Sequence, residues 1–419
     1  MRLLYTVQRY GTDIVGGSEA ACRMFAEHLV GAGHDVEVVT SCARRYLDWA
    51  NEYPAGTAEA NGVVVHRLAV TRPRTDDTFG PLNQWTIAGP RPMLTFQQTR
   101  WSQRMGPELE GYRGWLMANA ARFDAAIHMT YLYATTTFGL PVTAGLIPTI
   151  MQPTAHNEPA IWVRRFDTLF RLPDSFLYFT PEEQSLVGAR FGGELDGSVV
   201  GIGIDLVEAD DADVADLRLT HGLGDDPYLL YLGRIDPMKG AVEAIQHFIA
   251  YKARYPGRLK LVLVGDAVVD VPAHPDIRSI GFLDERRKRS VLRGAIALLQ
   301  PSYFESFSIV LCESWVQRRP ALVQSASPVL SGQAQRSCGA IPYHGFAEFE
   351  ASVNRMLTNR SLASGLGANG RRYVEDHYSW PSVVAAVEAE IGTAIKRFAT
   401  RRALRASRST PQGRSHQAH

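Results

Sequence analysis

A chain of 419 residues is long enough for two domains with full cores, and its 44 basic against 43 acidic residues leave a formal net charge of +1, so no global field draws it to nucleic acid or to an acidic partner. The four cysteines, Cys22, Cys42, Cys312 and Cys338, form no CxxC pair, which argues against a zinc site or a disulfide framework and fits a reduced, cytoplasmic setting. No apolar run approaches the ~20 residues of a spanning helix, and the first residues, Met1 to Tyr5, enter a strand pattern rather than a secretory signal.

From the N-terminus onward, apolar runs alternate with helical patterns, which predicts parallel sheets with helices on both faces. In the first half, strands are predicted at 2–7, 35–40, 62–68, 124–129, 147–151, 176–179 and 198–202, with a helical or irregular insertion over 93–123. The turn after the first strand, Arg9 to Ala20, leads into a helix carrying Met24, Phe25, His28 and Leu29. Gly16 and Gly17 in that turn allow a ligand to approach the backbone closely. The pattern is not GxGxxG, so a nicotinamide or flavin role is poorly supported. Gly31-Ala32-Gly33 ends that helix and reads as a C-cap.

The polar cluster Gln152-Pro153-Thr154-Ala155-His156-Asn157-Glu158-Pro159 follows another predicted strand. His156 either bonds a sugar or orients an acceptor, or is a loop histidine hydrogen-bonded to Glu158. The acidic stretch from Glu208 to Pro227 has no strong period and reads as an interdomain linker. Asp211-Ala212-Asp213 within it has the form of a metal-binding DxD. Its acidic surroundings favour a solvated charge run, and no metal site is assigned.

In the second half, strands are predicted at 228–232, 259–264, 277–281, 295–300, 321–324 and 340–343. Two phrases stand directly after such strands. The first is Gly233-Arg234-Ile235-Asp236-Pro237-Met238-Lys239-Gly240. Arg234 offers a planar fork for phosphate oxygens, and Lys239 is expected to open the next helix, where its ammonium shares an anion with the helix N-terminus. The pair also reads as surface cations beside a strand end. The second phrase is Glu305-Ser306-Phe307-Ser308-Ile309-Val310-Leu311-Cys312-Glu313. Ser306 or Ser308 is the expected N-cap, leaving the amides of Phe307, Ser308 and Ile309 between two carboxylates. Hydroxylated sugar, diphosphate and ribose diol occur in that same order in a nucleotide sugar, and carboxylates accept strongly from diols. A loop charge at Glu305 and a helix-surface charge at Glu313 are the simpler alternative.

Toward the end, Val383, Val387, Ile391, Ala394 and Phe398 recur at helical spacing, with Pro381 in the first turn. Lys396, Arg397, Arg401, Arg402, Arg405, Arg408 and Arg414 then accumulate without an acid after Glu390. Such a tail either touches anionic lipid or simply keeps the chain in solution.

Taken in order, Gly16-Gly17, Gly233-Arg234 with Lys239, Gly265-Asp266, and Pro301-Ser302-Tyr303-Phe304-Glu305 leading to Glu313 resemble the retaining glycosyltransferases of family 4. The resemblance extends nearly to Phe398. It implies an α/β fold of GT-B type: two Rossmann-like parallel-sheet domains facing across a cleft, with a C-terminal helix crossing back to the N-domain. The expected boundaries are 1–205 for an acceptor-side domain, 206–226 for a linker, 227–380 for a donor domain, 381–400 for the cross-over helix and 401–419 for a basic, disordered tail. Arg234 and Lys239 would hold the donor diphosphate, Glu305 the sugar hydroxyls and Glu313 the ribose. Gly16, Gly17, Gly265, Asp266, Phe307, Ser308 and Ile309 would complete the donor site, and His156 would stand near the reacting sugar.

The implied activity is metal-independent, retaining transfer from a UDP- or GDP-linked sugar, itself a substrate, so no cofactor is expected. The acceptor would be a glycan, a lipid-linked molecule or a small molecule, in cell-envelope or exopolysaccharide biosynthesis, in the cytoplasm or peripherally at a membrane. A nucleotide-sugar epimerase on the same fold, or a non-catalytic nucleotide-sugar-binding protein, is the alternative. The chain departs from the family in carrying Ser306 and Ser308 where many members have Glu-Gly-Phe-Gly. It also lacks the usual glycine-rich turn over Ser327 to Ser337.

Overall fold

The computed structural model describes residues 1–14, 16–88, 93–193 and 195–409. Two compact units emerge: Met1–Tyr178, Ser185–Val200 and Val384–His419 form the first, and Phe179–Gln184 with Gly201–Val383 form the second.

The first unit is built on eight strands: β1 (Arg2–Thr6), β2 (Asp35–Ser41), β3 (Gly56–Ala60), β4 (Val63–Leu68), β5 (Ala125–Met129), β6 (Thr149–Gln152), β7 (Ser175–Tyr178) and β8 (Gly197–Val199). Their order is β3-β4-β2-β1-β5-β6-β7-β8, parallel except for the β3–β4 pair. Strands β1 and β5 are buried on both faces, which is why their sequences read as continuous rather than alternating apolar runs. Strand β3 has no counterpart among the sequence-predicted strands. It is an exposed antiparallel edge of composition Gly-Thr-Ala-Glu-Ala, held by backbone pairing and not by an apolar face.

The helices of this half are α1 (Gly17–Gly31), α2 (Asp76–Ala88), α3 (Thr95–Met105), α4 (Tyr112–Asn119), α5 (Ala134–Thr143), α6 (Arg165–Leu169) and α7 (Pro181–Phe191). Helix α1 buries Ala21, Cys22, Phe25, Ala26 and Leu29, a stripe of helical period, and ends at Gly31 with Gly33 at φ +88°. The predicted insertion is thus three helices, and it starts earlier than expected, at Asp76. Beneath the sheet, fully buried His128 lies 2.7 Å from the hydroxyls of both Thr6 and Thr143. Burial lowers its pKa to about 3.

The second unit has six parallel strands: β9 (Tyr228–Leu232), β10 (Lys260–Val264), β11 (Ile277–Ser279), β12 (Ala297–Gln300), β13 (Ala321–Gln324) and β14 (Ala340–Tyr343). The order β11-β10-β9-β12-β13-β14 means the chain builds outward from β9 in one direction, then returns to build in the other. The reversal falls between β9 and β12, the position in open α/β sheets where ligands bind at the carboxyl ends. The helices are α8 (Asp211–Thr220), α9 (Ala241–Arg254), α10 (Glu285–Gly294), α11 (Ile309–Val316), α12 (Pro328–Ser337), α13 (Phe346–Thr358) and α14 (Arg360–His377), while α15 (Trp380–Ser409) belongs from Val384 onward to the first unit. Leu229, Tyr231, Leu261, Leu263, Ala297 and Leu299 of the sheet pack with Ile245 and Phe248 of α9 in one core.

Two sequence expectations are corrected here. The acidic stretch read as a linker is mostly helix α8, within the second unit. Asp210 caps it by accepting from the Ala212 amide, acids occupy its first turn, and Leu217 is buried. The basic segment from 401 is not a loose tail either, because α15 continues to Ser409. The Arg401 guanidinium lies 2.9 Å from Asp174 and donates to the carbonyl of Ala144 at 2.8 Å, within the first unit. Arg397 likewise donates to Ser175 at 3.1 Å. The remaining residues, 410–419 with Arg414, lie outside the described ones.

Candidate functional site

The loop that leaves β9 is shaped by three local devices. Asp236 accepts from the Met238 amide at 2.9 Å, capping the 3-10 turn Pro237–Lys239. Its other oxygen lies 2.8 Å from the Arg234 guanidinium, so one carboxylate fixes both the turn and the arginine. Gly240, at φ +72° and ψ 9°, then redirects the chain into α9. A Cβ there would sit 2.2 Å from the Pro301 carbonyl oxygen, so only glycine lets this loop meet the one leaving β12. Lys239 therefore stands on the turn before α9 and does not open the helix as the sequence suggested.

The loop leaving β12 is anchored by its aromatic residue. Phe307 is buried, edge-on to Tyr378 at 4.9 Å, and its carbonyl accepts from Gln333 at 2.5 Å. The Ser306 carbonyl accepts from Thr180 at 3.1 Å. Ser308 precedes α11 at φ 73°, ψ 77°, in the left-handed region that favours glycine, and its side chain makes no capping bond. Its hydroxyl instead accepts from Gln300 at 2.8 Å, and the same amide group lies 3.5 Å from Glu305. The N-cap expected of Ser306 or Ser308 is thus a backbone position without a side-chain cap.

At the strand reversal the two loops touch. Lys239 Nζ donates to Glu305 Oε1 at 3.0 Å. Its donation to the Phe304 carbonyl at 3.4 Å is weaker. Tyr231 donates to the Arg234 carbonyl at 2.6 Å beneath them. Its pKa is pushed up by burial first and by the Asp236 and Glu305 carboxylates next. On the neighbouring strand end, Gly265 (φ +127°) comes so near that a Cβ would lie 2.3 Å from the Gly233 oxygen. Asp266 follows as an exposed residue whose carbonyl accepts from Ile235 at 2.9 Å. Glu313 lies inside α11, where Lys288 of α10 donates to its Oε1 at 2.6 Å. The second unit thus brings Arg234, Lys239, Gly265, Glu305 and Ser308 onto adjoining loops of one sheet end, with Glu313 further along the helix that Ser308 precedes.

Gly16, Gly17 and His156 belong to the first unit, at the carboxyl ends of β1 and β6. A Cβ on Gly16 would fall 2.3 Å from Glu19 Oε2 and 3.1 Å from Arg9 Nη2. Those two side chains form a buried ion pair, Arg9 Nε donating to Glu19 at 2.9 Å. Gly17 differs: a Cβ there would meet nothing within 4 Å. His156 Nδ1 is 3.8 Å from Glu158 Oε1, beyond a hydrogen bond, and Tyr131 donates to that same oxygen at 2.8 Å.

Sequence reasoning left three residues of the site without a role. Asp236 had a local signal, an Asp before a Pro at a turn. Gln300 had a weaker one, an amide at the end of an otherwise apolar strand. Lys288 sits in the run Glu285-Arg286-Arg287-Lys288-Arg289, and only its spacing of three and four from the buried Val291 and Leu292 sets it apart. Among the described residues, no three His, Cys, Asp or Glu side chains gather into a metal-holding group. Asp213 of the DxD pairs with Arg286. The described cysteines are all unpaired, and no described helix is long and apolar enough to cross a membrane.

Two Rossmann-like units, one carrying paired cations and carboxylates at its strand reversal, define the GT-B class. A solved structure of Anabaena HepE, in complex with UDP and glucose, superposes with a TM-score of 0.65 over 94% of this chain and 100% of that one, at 14% identity. Residues 216–373 match the family described as glycosyl transferases group 1. The glycogen synthase of Mycobacterium tuberculosis is 25% identical over 418 residues, 95% of each chain. The D-inositol 3-phosphate glycosyltransferase of Nocardia farcinica is 26% identical over 262 residues, 58% of each.

Proposed function

We propose that this glycosyltransferase moves a sugar from a UDP- or GDP-linked donor to a hydroxyl of a glycan, lipid-linked or small-molecule acceptor, with retained anomeric configuration and without a metal. The observation that carries the reading is the Lys239–Glu305 pair at the strand reversal, with Arg234 held by Asp236 beside it. When the bond from the anomeric carbon to the phosphate oxygen breaks, negative charge grows on the diphosphate. Lys239, Arg234 and the first amides of α11 oppose that charge. Glu305 accepts from sugar hydroxyls. The acceptor oxygen bonds to the anomeric carbon on the face the phosphate leaves, and its proton passes to the departing phosphate oxygen. In the first unit, the same reading has Gly17 admit a ligand to the backbone and His156 bond a sugar.

One relative is named for glycogen synthesis and another for D-inositol 3-phosphate, which supports transfer to a hydroxyl without choosing between acceptor classes. Cell-envelope or exopolysaccharide assembly is the setting we favour. The test is turnover of UDP-, GDP- and ADP-linked sugars with candidate acceptors, followed by NMR of the new anomeric centre. A β-linked product from an α-linked donor would refute retention. Nucleotide-sugar binding without transfer or hydrolysis would favour the non-catalytic alternative, and donor epimerisation would favour the epimerase.

A further inference from the structure

Lys288 is the one lysine in the charged run that opens α10 and turns inward. Its side chain is 17% exposed, and its ammonium lies between Glu313, 21% exposed, and Glu285, 69% exposed. Glu285 is mostly solvated, so its pull is screened. The contact with Glu313 Oε1, at 2.6 Å, is the shielded one. Burial alone drives the Lys288 ammonium toward neutrality, but Glu313 and then Glu285 outweigh it and its pKa rises. Lys288 is therefore a cation at neutral pH.

The geometry leaves half of Glu313 uncommitted. Lys288 occupies Oε1, and Oε2 accepts no hydrogen bond among the described residues. A carboxylate has about four acceptor positions, so a vicinal diol can still bond to it in two places. Two conditions must hold for that. The carboxylate must stay charged, and it must stay in one rotamer. A charged carboxylate near a diphosphate would also repel it unless a cation stands close by. Lys288 meets all three requirements from the side of α10, without lying in the loops that carry Lys239 and Glu305.

We propose that Lys288 is a positioning residue that holds Glu313 for the ribose diol of the donor nucleotide, and so makes the site select ribonucleotides over 2′-deoxyribonucleotides. This rests on the reading of the second unit as a nucleotide-sugar donor site. It goes beyond that reading in assigning a selectivity and the residue that sets it.

The experiment is calorimetric binding of UDP, GDP and ADP to the full chain, followed by the 2′-deoxy counterpart of whichever binds. Losing one charge-assisted hydrogen bond corresponds to about tenfold in affinity, so the unmodified protein should prefer the ribonucleotide by about tenfold or more. Lys288→Met should shrink that preference to about twofold, Lys288→Arg should keep most of it, and Glu313→Gln should match Lys288→Met. Adding Lys288→Met to Glu313→Gln should then change the preference little further. Lys288→Gln carries the same expectation as Lys288→Met and stands in for it if the methionine variant does not fold by circular dichroism. A Lys288→Met or Lys288→Gln protein that keeps the full preference overturns the proposal. So does an unmodified protein that binds both sugars equally, though the donor-site reading then survives. An unmodified protein that binds no nucleoside diphosphate removes the donor-site reading and this proposal together.

Discussion

Replacing Gly17 with alanine should make the protein slightly more stable and much less active. The structure supplies both halves of that expectation. Gly17 is the first residue of α1, its φ is outside the left-handed region, and a Cβ at that point would meet nothing within 4 Å. Alanine is the better helix residue by up to ~1 kcal/mol, less at a helix end, so a gain of about 0.5 kcal/mol is expected. In a unit of this size that is about 1–2 °C in Tm. The fold therefore has no need of glycine here, unlike at Gly16, where the Cβ would press on the Arg9–Glu19 pair. If a ligand comes against the backbone of Gly17, a methyl group occupies its place. A loss of ~1.4 kcal/mol or more in transition-state binding then lowers kcat/KM by about tenfold or more. Calorimetric melting and steady-state kinetics on the same preparation measure the two effects. A Gly17→Ala protein that is stabilised and fully active would show that no ligand approaches there, and the assignment would fall.

Lys239→Ala and Glu305→Gln should each lower kcat by roughly a hundredfold or more, because each removes a group proposed to bear on the reacting donor. Full activity in either variant would sink the donor-site assignment. Gly240→Ala should destabilise the second unit by about 2–4 kcal/mol, since its Cβ would overlap a backbone carbonyl at a positive φ. An unchanged melting profile would contradict the loop geometry described above. His128 stays neutral in the folded protein down to about pH 3 while an unfolded histidine takes up a proton near pH 6.5. The stability it contributes is thus complete above about pH 6.5 and is lost as pH falls toward 3, by up to ~1.4 kcal/mol per unit of pH. Urea midpoints at pH 7, 5.5 and 4.5 should show this slope in the unmodified protein and a shallower one in His128→Gln.

The sheets were legible because strands buried on both faces are mostly apolar, and Arg2 to Val7, Asp124 to Met129 and Tyr228 to Leu232 could be read directly. Strand β3 was not, since its pairing depends on the backbone and its side chains face water. Residue types in order were enough to single out Arg234, Lys239, Glu305 and Glu313 as candidates, and the first three lie on adjoining loops of one sheet end. What they could not show is conformation. Ser308 adopts a glycine-like φ, and no serine announces that in sequence. Lys288 could not be told from the four charged residues around it until α10 was laid beside α11. The basic C-terminal run misled for a related reason. Composition alone suggests a solvated tail, whereas Arg401 spends its charge on Asp174, a carboxylate whose side chain is 2% exposed and whose pKa burial tends to raise.

That arrangement bears on the order in which the protein can be made. The second unit is nearly continuous in the chain, but the first needs residues from both ends. Ser175 of β7 and Ser198 of β8 both bond to Glu390, His34 lies 2.6 Å from Glu388, and Asp174 pairs with Arg401. A ribosome adding roughly 5–20 residues per second leaves these partners waiting for tens of seconds after β8 has emerged. The unit whose synthesis begins first is therefore completed last. During that interval Ser175, Ser198 and Asp174 stay without the partners they take from α15.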